Sequence, residues 1–179
     1  MPQLWTIGHS ILTIDAFINL LKAQEIQKLV DVRTLPGSKR HPQFNAENLS
    51  QSLHRSGIDY IHMKELGGLR KPRPDSPNTI WRNASFRGYA DYMMTTPFVD
   101  AIEKLLKIAA EKRTAIMCAE AVWWQCHRSM IADYLKARGV KVLHILGEKK
   151  IQEHPYTSAA RIVDGLLTYS VENEPELRP

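Results

Sequence analysis

The sequence predicts an α/β fold, one three-layer domain over residues 1–170 with a mostly parallel sheet and helices on both faces. Three observations carry this expectation. Short apolar runs alternate with stretches whose apolar residues recur at helical spacing, the pattern of strand–helix–strand crossovers. Glycines and capping residues punctuate the boundaries. A chain of 179 residues that is 44% hydrophobic and 24% charged has globular composition and the length of one core. Residues 171–179 hold Glu172, Glu174, Glu176 and two prolines and are expected to form a flexible tail.

The elements follow in order. Residues 4–7 form a strand that ends at Gly8. Thr13 caps a helix whose inner face is Ile14, Phe17, Leu20 and Leu21. Residues 28–32 are a second strand. Asn45 caps a helix through Leu49 and Leu53, stopped by Gly57. Residues 58–62 are a third strand, followed by a long polar connection over 64–83. Residues 85–93 are helical. Thr96 caps the next helix, with Pro97 at its first position and Ile102, Leu105, Leu106 and Ala109 along it. Residues 114–118 are a strand, 126–137 a helix closed by Gly139, and 140–145 a further strand. A last helix is expected over 158–166.

Composition excludes several classes. No apolar run approaches the ~20 residues that span a bilayer, and the first residues lack the basic start and apolar stretch of a signal peptide. No membrane partner is expected, and the expected location is the cytoplasm, with Cys118 and Cys126 reduced. The formal charge of +5 is unevenly placed. Ten Lys/Arg face four Asp/Glu between Arg33 and Arg87, against 14 and 15 elsewhere. An anionic partner is therefore expected at that segment.

In parallel sheets, ligands bind beyond the carboxyl ends of the strands, and polar residues with chemical potential gather there. Gly8-His9-Ser10 follows the first strand. It reads either as a turn, in which Gly8 permits positive φ, or as a ligand contact with His9 titrating near neutral pH. Asp31 and Arg33 lie on one side of the second strand, as a structural ion pair or as a device that orients Arg33 toward an anion. Glu120 follows an apolar strand. It is either a partly desolvated acid suited to general acid or base work, or a partner of Arg128 or a helix cap. Cys126-His127-Arg128 opens a helix, where unpaired N–H groups and Arg128 would make an anion site. Neighbours in sequence do not face each other on a helix, so Cys126 and His127 are not expected to act as a pair.

No metal or cofactor is expected. The Cys118, Cys126 and His127 spacing lacks the close pairs of structural zinc, and no glycine-rich nucleotide fingerprint is present. A redox or metal role for the two cysteines is the weakest of three functional readings. Within the basic segment, Lys39, Arg40, Arg70, Lys71, Arg73, Arg82 and Arg87 are interleaved with Trp81, Phe86 and Tyr89. That mixture suits bases stacked over a tracked phosphate backbone, or a solvated loop anchored by its aromatics.

Several stretches, taken together, resemble domain-of-unknown-function family 488. They are Thr6-Ile7-Gly8-His9-Ser10, Asp31-Val32-Arg33 with Pro36 and Ser38, Leu66-Gly67-Gly68, Phe86-Arg87-Gly88-Tyr89-Ala90, and Met117-Cys118-Ala119-Glu120 with Cys126-His127-Arg128. They run through nearly the whole chain in the family's order. Ala121-Val122-Trp123-Trp124 departs from the Lys-Asp-Pro-like stretch of many members and resembles the subgroup with a long Arg/Pro-rich connection. The resemblance implies a single α/β domain and supplies no activity.

The leading expectation is an enzyme, a hydrolase or one cleaving a glycosyl bond, acting on a phosphate-bearing nucleotide or nucleic acid. Glu120, His9 and Asp31 would be its catalytic groups. Ser10, Arg33, Arg87, Tyr89, Cys126, His127 and Arg128 would bind the substrate. The alternative is a non-catalytic nucleic-acid or nucleotide binder that uses the basic segment over residues 33–87.

Overall fold

All five predicted strands form, and a sixth joins them. The computed structural model describes residues 2–171. The strands are β1 (Gln3–Gly8), β2 (Lys28–Asp31), β3 (Asp59–His62), β4 (Thr114–Cys118), β5 (Lys141–Gly147) and β6 (Lys150–Glu153), in the order β3-β2-β4-β1-β5-β6. The first five pair in parallel, and β6 runs antiparallel along β5. β6 carries only one large apolar residue, Ile151. An edge strand needs no continuous apolar run, so nothing in its pattern marked it.

Alternation along the strands separates two cores. Trp5, Ile7, Leu29 and Met117 meet Phe17 and Leu21 of α1 (Ile14–Ala23) and Leu49 and Leu53 of α2 (Ala46–Arg55) on one face. Leu4, Val30 and Ile116 meet α3 (Ala84–Met93), α4 (Thr96–Glu111) and α5 (Arg128–Ala137) on the other. The result is the expected α/β arrangement with helices on both faces.

Local chemistry moved some boundaries. Thr13 caps α1 by accepting from the Ala16 N–H. Asn83 caps α3 by accepting from Phe86 N–H, which starts that helix one residue earlier than predicted. Thr95 rather than Thr96 is the N-cap of α4, and Pro97 lies in its first turn. Asn45 stands at the N-cap of α2, yet its side chain accepts from the Ser38 N–H instead. The predicted helix over 158–166 is instead a hairpin of β7 (Arg161–Val163) and β8 (Leu166–Thr168). Its turn residues Asp164 and Gly165 have φ of 51° and 78°. An Asp-Gly pair suits a two-residue turn with both φ positive, and here that preference outweighed helical spacing.

The long connection before α3 is tied down rather than loose. Buried Asp91 of α3 accepts from Arg73 N–H, the Ser76 hydroxyl and the Asn78 amide. The Arg70 guanidinium lies 3.6 Å from the Tyr92 ring centroid, and Arg73 pairs with Asp75. Residues 172–179, nearly all of the expected tail, lie outside the described residues. Among the described residues no helix is long and apolar enough to cross a membrane.

Candidate functional site

The crossover after β1 carries α1 to one face of the sheet, and the connection after β4 carries α5 to the other. The adjacent carboxyl ends of β1 and β4 therefore form a topological switch point, the place where open α/β sheets leave a crevice. A two-lobed cleft lies there. One lobe, of about 310 Å³, is largely apolar, with Leu69, Phe86, Tyr89, Cys118, Cys126 and His127 in its walls. The other, of about 530 Å³, is polar and is walled by His9, Ser10, Ser38, Arg40 and His41. Arg33, Leu35, Ala119, Glu120 and Gln125 line both.

Close approach of two chain segments builds the floor. The His9 and Ser10 N–H groups donate to the Cys118 and Ala119 carbonyls. A Cβ on Gly8 would lie 1.6 Å from the Glu120 carbonyl oxygen. Gly8 therefore serves close packing and not the positive φ that a turn would demand. It is Ser10 that adopts the left-handed conformation, at φ 47°.

Asp31 is fully buried and holds Arg33 from two sides. Arg33 Nε donates to Asp31 Oδ1 at 2.9 Å and Nη2 to Oδ2 at 2.8 Å. Nη2 also donates to the Phe44 carbonyl, and the Tyr60 hydroxyl donates to Asp31 Oδ2. The ion pair and the orienting device are thus one arrangement, with Nη1 left over. Nη1 lies 3.5 Å from His9 Nε2.

His9 is buried and stacks on Phe44 with ring centroids 4.4 Å apart. Its Nδ1 lies 2.8 Å from the Ser10 carbonyl, which can only accept. Nδ1 is therefore the protonated nitrogen, and Nε2 turns its lone pair toward Arg33. Burial lowers the His9 pKa, and the Arg33 charge lowers it further, against the Ser10 hydrogen bond. The imidazole is neutral at neutral pH and offers a base.

Behind the apolar lobe, Cys126 is extended at φ −135° and ψ 151°, ahead of α5 rather than within it. That conformation places its Sγ 3.4 Å from His127 Nδ1, so the two side chains do meet, contrary to the helical expectation. His127 Nε2 donates to the Val32 carbonyl at 2.8 Å, which leaves Nδ1 free to accept from the thiol. Tyr89 supplies a buried ring beside His127, its hydroxyl donating to the Leu66 carbonyl.

Four expected roles are not realised. The first-turn amides of α5 do not face an anion, because Ser129 and Met130 N–H groups donate to the Cys126 and His127 carbonyls. Arg128 is 0% exposed and lies beneath the cleft, donating to the Thr6 hydroxyl and to the Glu120 and Ala121 carbonyls. Arg87 lines neither lobe and donates to the Trp81 carbonyl. Glu120 is exposed at the rim, not desolvated. Leu35, Leu69 and Gln125 also wall the cleft, and Phe44 and Tyr60 hold His9 and Asp31 from behind; none of the five is among the residues the sequence marks. No polar or spacing signal distinguishes these from ordinary core and loop residues.

Arg128 also starts a directed chain of buried hydrogen bonds. Thr6 Oγ1 lies 2.6 Å from His144 Nδ1, His144 Nε2 2.8 Å from His154 Nδ1, and His154 Nε2 2.8 Å from Asp133 Oδ1. Each donor finds an acceptor if both imidazoles are neutral. The loop at Glu120 is thus anchored through the core.

Burial lowers the pKa of His127 to about 4 and that of His144 to about 2, the latter with help from His154 and Arg128. An unfolded histidine titrates near 6.5, at about the model-peptide value. As pH falls below that value, the unfolded chain takes up protons that the folded chain refuses. Stability therefore falls from about pH 6.5 toward about pH 4, at roughly 1.4 kcal/mol per pH unit for each such group. In His127→Gln the amide nitrogen can replace Nε2 at the Val32 carbonyl. Denaturant unfolding across that window should show the slope reduced by about one proton; an unchanged slope removes His127 from the account.

Among the described residues, no group of three or more His, Cys, Asp or Glu side chains is placed to hold a metal ion. No curated protein and no solved structure matches the chain. A family model, Domain of unknown function DUF488, matches residues 13–135. That span runs from the cap of α1 into α5 and takes in Asp31, Arg33, Glu120, Cys126 and His127, well over half of the chain. The protein therefore belongs to the DUF488 family.

Proposed function

We propose that the cleft binds a phosphate-bearing nucleotide, free or at an end of a nucleic acid, and that the protein is an enzyme acting on it. The observation that carries this reading is the Arg33–His9 pair. Asp31 uses Nε and Nη2 of Arg33 and leaves Nη1 beside a neutral imidazole whose lone pair faces it. A cation held rigid beside a base suits a phosphate oxygen and a proton transfer at one substrate. The lobes divide as a nucleotide does. Phe86 and Tyr89 would flank a base, while Arg33 and Arg40 would hold phosphate. In this reading Glu120 at the rim is the second acid–base group, or the nucleophile of a glycosyl transfer, and Asp31 acts by positioning Arg33.

Calorimetry with a nucleoside monophosphate series, the matching nucleosides and inorganic phosphate tests the reading. Nucleotides should bind best, and Arg33→Lys should weaken them about ten- to hundredfold, the value of a charge-assisted hydrogen bond. Glu120→Gln should leave that binding nearly intact and abolish turnover. Equal affinity in Arg33→Lys, or no binding by any nucleotide, overturns it. The non-catalytic alternative predicts something else: an affinity for oligonucleotides that falls with salt, with a slope reduced by Arg70→Ala. The stacking of Arg70 on Tyr92 and the pairing of Arg73 with Asp75 already engage two of those cations.

A further inference from the structure

Two thiols share the wall of the apolar lobe. Cys118 ends β4 and Cys126 precedes α5, and both are free and buried at the cleft surface. Each thiol senses the other electrostatically, and Cys118 Sγ lies 3.8 Å from the Glu120 carbonyl oxygen. Cys126 Sγ also lies 3.4 Å from His127 Nδ1, whose lone pair can accept a hydrogen bond from the thiol. Arg128 is the third member of the arrangement. Among the described residues it joins no ion pair, and its buried Nε has no hydrogen-bond partner. A buried guanidinium without a carboxylate partner favours an anion beside it. The Arg128 charge acts on both sulfurs.

Burial pushes the Cys118 thiol up, but the neighbouring Cys126 side chain and the Arg128 charge bring it below its ordinary value. Burial and the Cys118 neighbour push Cys126 up. Cys118 is therefore the more acidic of the two thiols. A lowered pKa and access through a pocket are what distinguish a reactive cysteine from an inert core one.

We propose that Cys118 and Cys126 form a dithiol centre that reduces small hydroperoxides and closes to a reversible disulfide. The Cys118 thiolate attacks one peroxide oxygen. An S–O bond forms, the O–O bond breaks, and the departing oxygen leaves as water or alcohol once protonated. The Cys126 thiol then attacks the Cys118 sulfenic sulfur and gives up its proton to the departing oxygen. The S–S bond forms, the S–O bond breaks, and hydroxide leaves as water with that proton. Two thiols thus lose two electrons and two protons, and the peroxide is reduced by two electrons. This chemistry is independent of what the cleft binds.

The experiment treats the full chain with hydrogen peroxide, then counts thiols and maps peptides without reductant. The expected result is loss of both thiols together and a linked Cys118–Cys126 peptide lighter by about 2 Da, both reversed by dithiothreitol. In Cys126→Ser, dimedone should trap a sulfenic acid at Cys118. Survival of both thiols under conditions that oxidise free glutathione overturns the proposal, as does oxidation only to links between molecules or to irreversible acids. Should Cys126→Ser fail to fold, the wild-type peptide map decides alone.

Discussion

Asp31→Ala should destabilise the fold by about 3–5 kcal/mol, because it strands a buried guanidinium without its carboxylate. Asp31 accepts two side-chain hydrogen bonds and a backbone one from Arg33 and one from the Tyr60 hydroxyl, in a pair whose side chains are 8% and 0% exposed. Removing the acceptor leaves four donors to find partners. Urea unfolding of the variant gives the value directly. Asp75→Ala breaks an exposed arginine pair of similar length and should be nearly silent, since exposed pairs lose to solvent and salt what they gain by attraction. Asp31→Ala combined with Arg33→Met should recover much of the loss, because two apolar groups leave no buried charge. A single-variant loss below about 1 kcal/mol would show that Arg33 finds another partner, and the rigid-cation argument would fall with it.

That argument shows how far the sequence could be read. Asp31 and Arg33 were visible as a pair because side chains two apart on a strand share a face. Which atoms of Arg33 remain for a ligand was not visible. It depends on Phe44 and Tyr60, which arrive from α2's approach and from β3 with no motif of their own. His9 was legible as a residue after a strand, but its tautomer rests on the carbonyl of Ser10, turned by a positive φ that serine rarely adopts. The layers themselves were legible from periodicity, since β1 to β5 each carry apolar runs. β6 and the β7–β8 hairpin were not, because an edge strand with one large apolar residue and a three-residue strand carry too short a pattern. The Cys126–His127 contact was misread for a related reason. It followed from placing α5 two residues too early, and that shift is enough to take Cys126 and His127 out of the helix and change how they face each other.

The second large effect is expected from the smallest residue. Gly8→Ala places a Cβ 1.6 Å from the Glu120 carbonyl oxygen and 3.0 Å from Arg128 Nη2. The first obstacle is backbone, so no rotamer change relieves it, and the Cys118–Ala121 segment must move as a body. Doing so strains the hydrogen bond by which Arg128 Nη2 holds the Glu120 carbonyl at 2.9 Å and the two hydrogen bonds that the His9 and Ser10 N–H groups donate to the Cys118 and Ala119 carbonyls. Overpacking a tight contact costs about 1–3 kcal/mol, and a backbone clash lies at the upper end or beyond. The functional loss should exceed the stability loss. Ala119 and Glu120 line both lobes, so their displacement reshapes the cleft even in molecules that stay folded. Gly37→Ala is the control, because a Cβ there meets nothing within 4 Å. Calorimetry on Gly8→Ala, at a temperature where unfolding curves show it folded, should find nucleotide affinity down at least about tenfold, and Gly37→Ala should keep its unfolding midpoint. A Gly8→Ala protein as stable as the parent would mean that the β1–β4 junction has slack, and the cleft would then owe its shape to some contact other than this one.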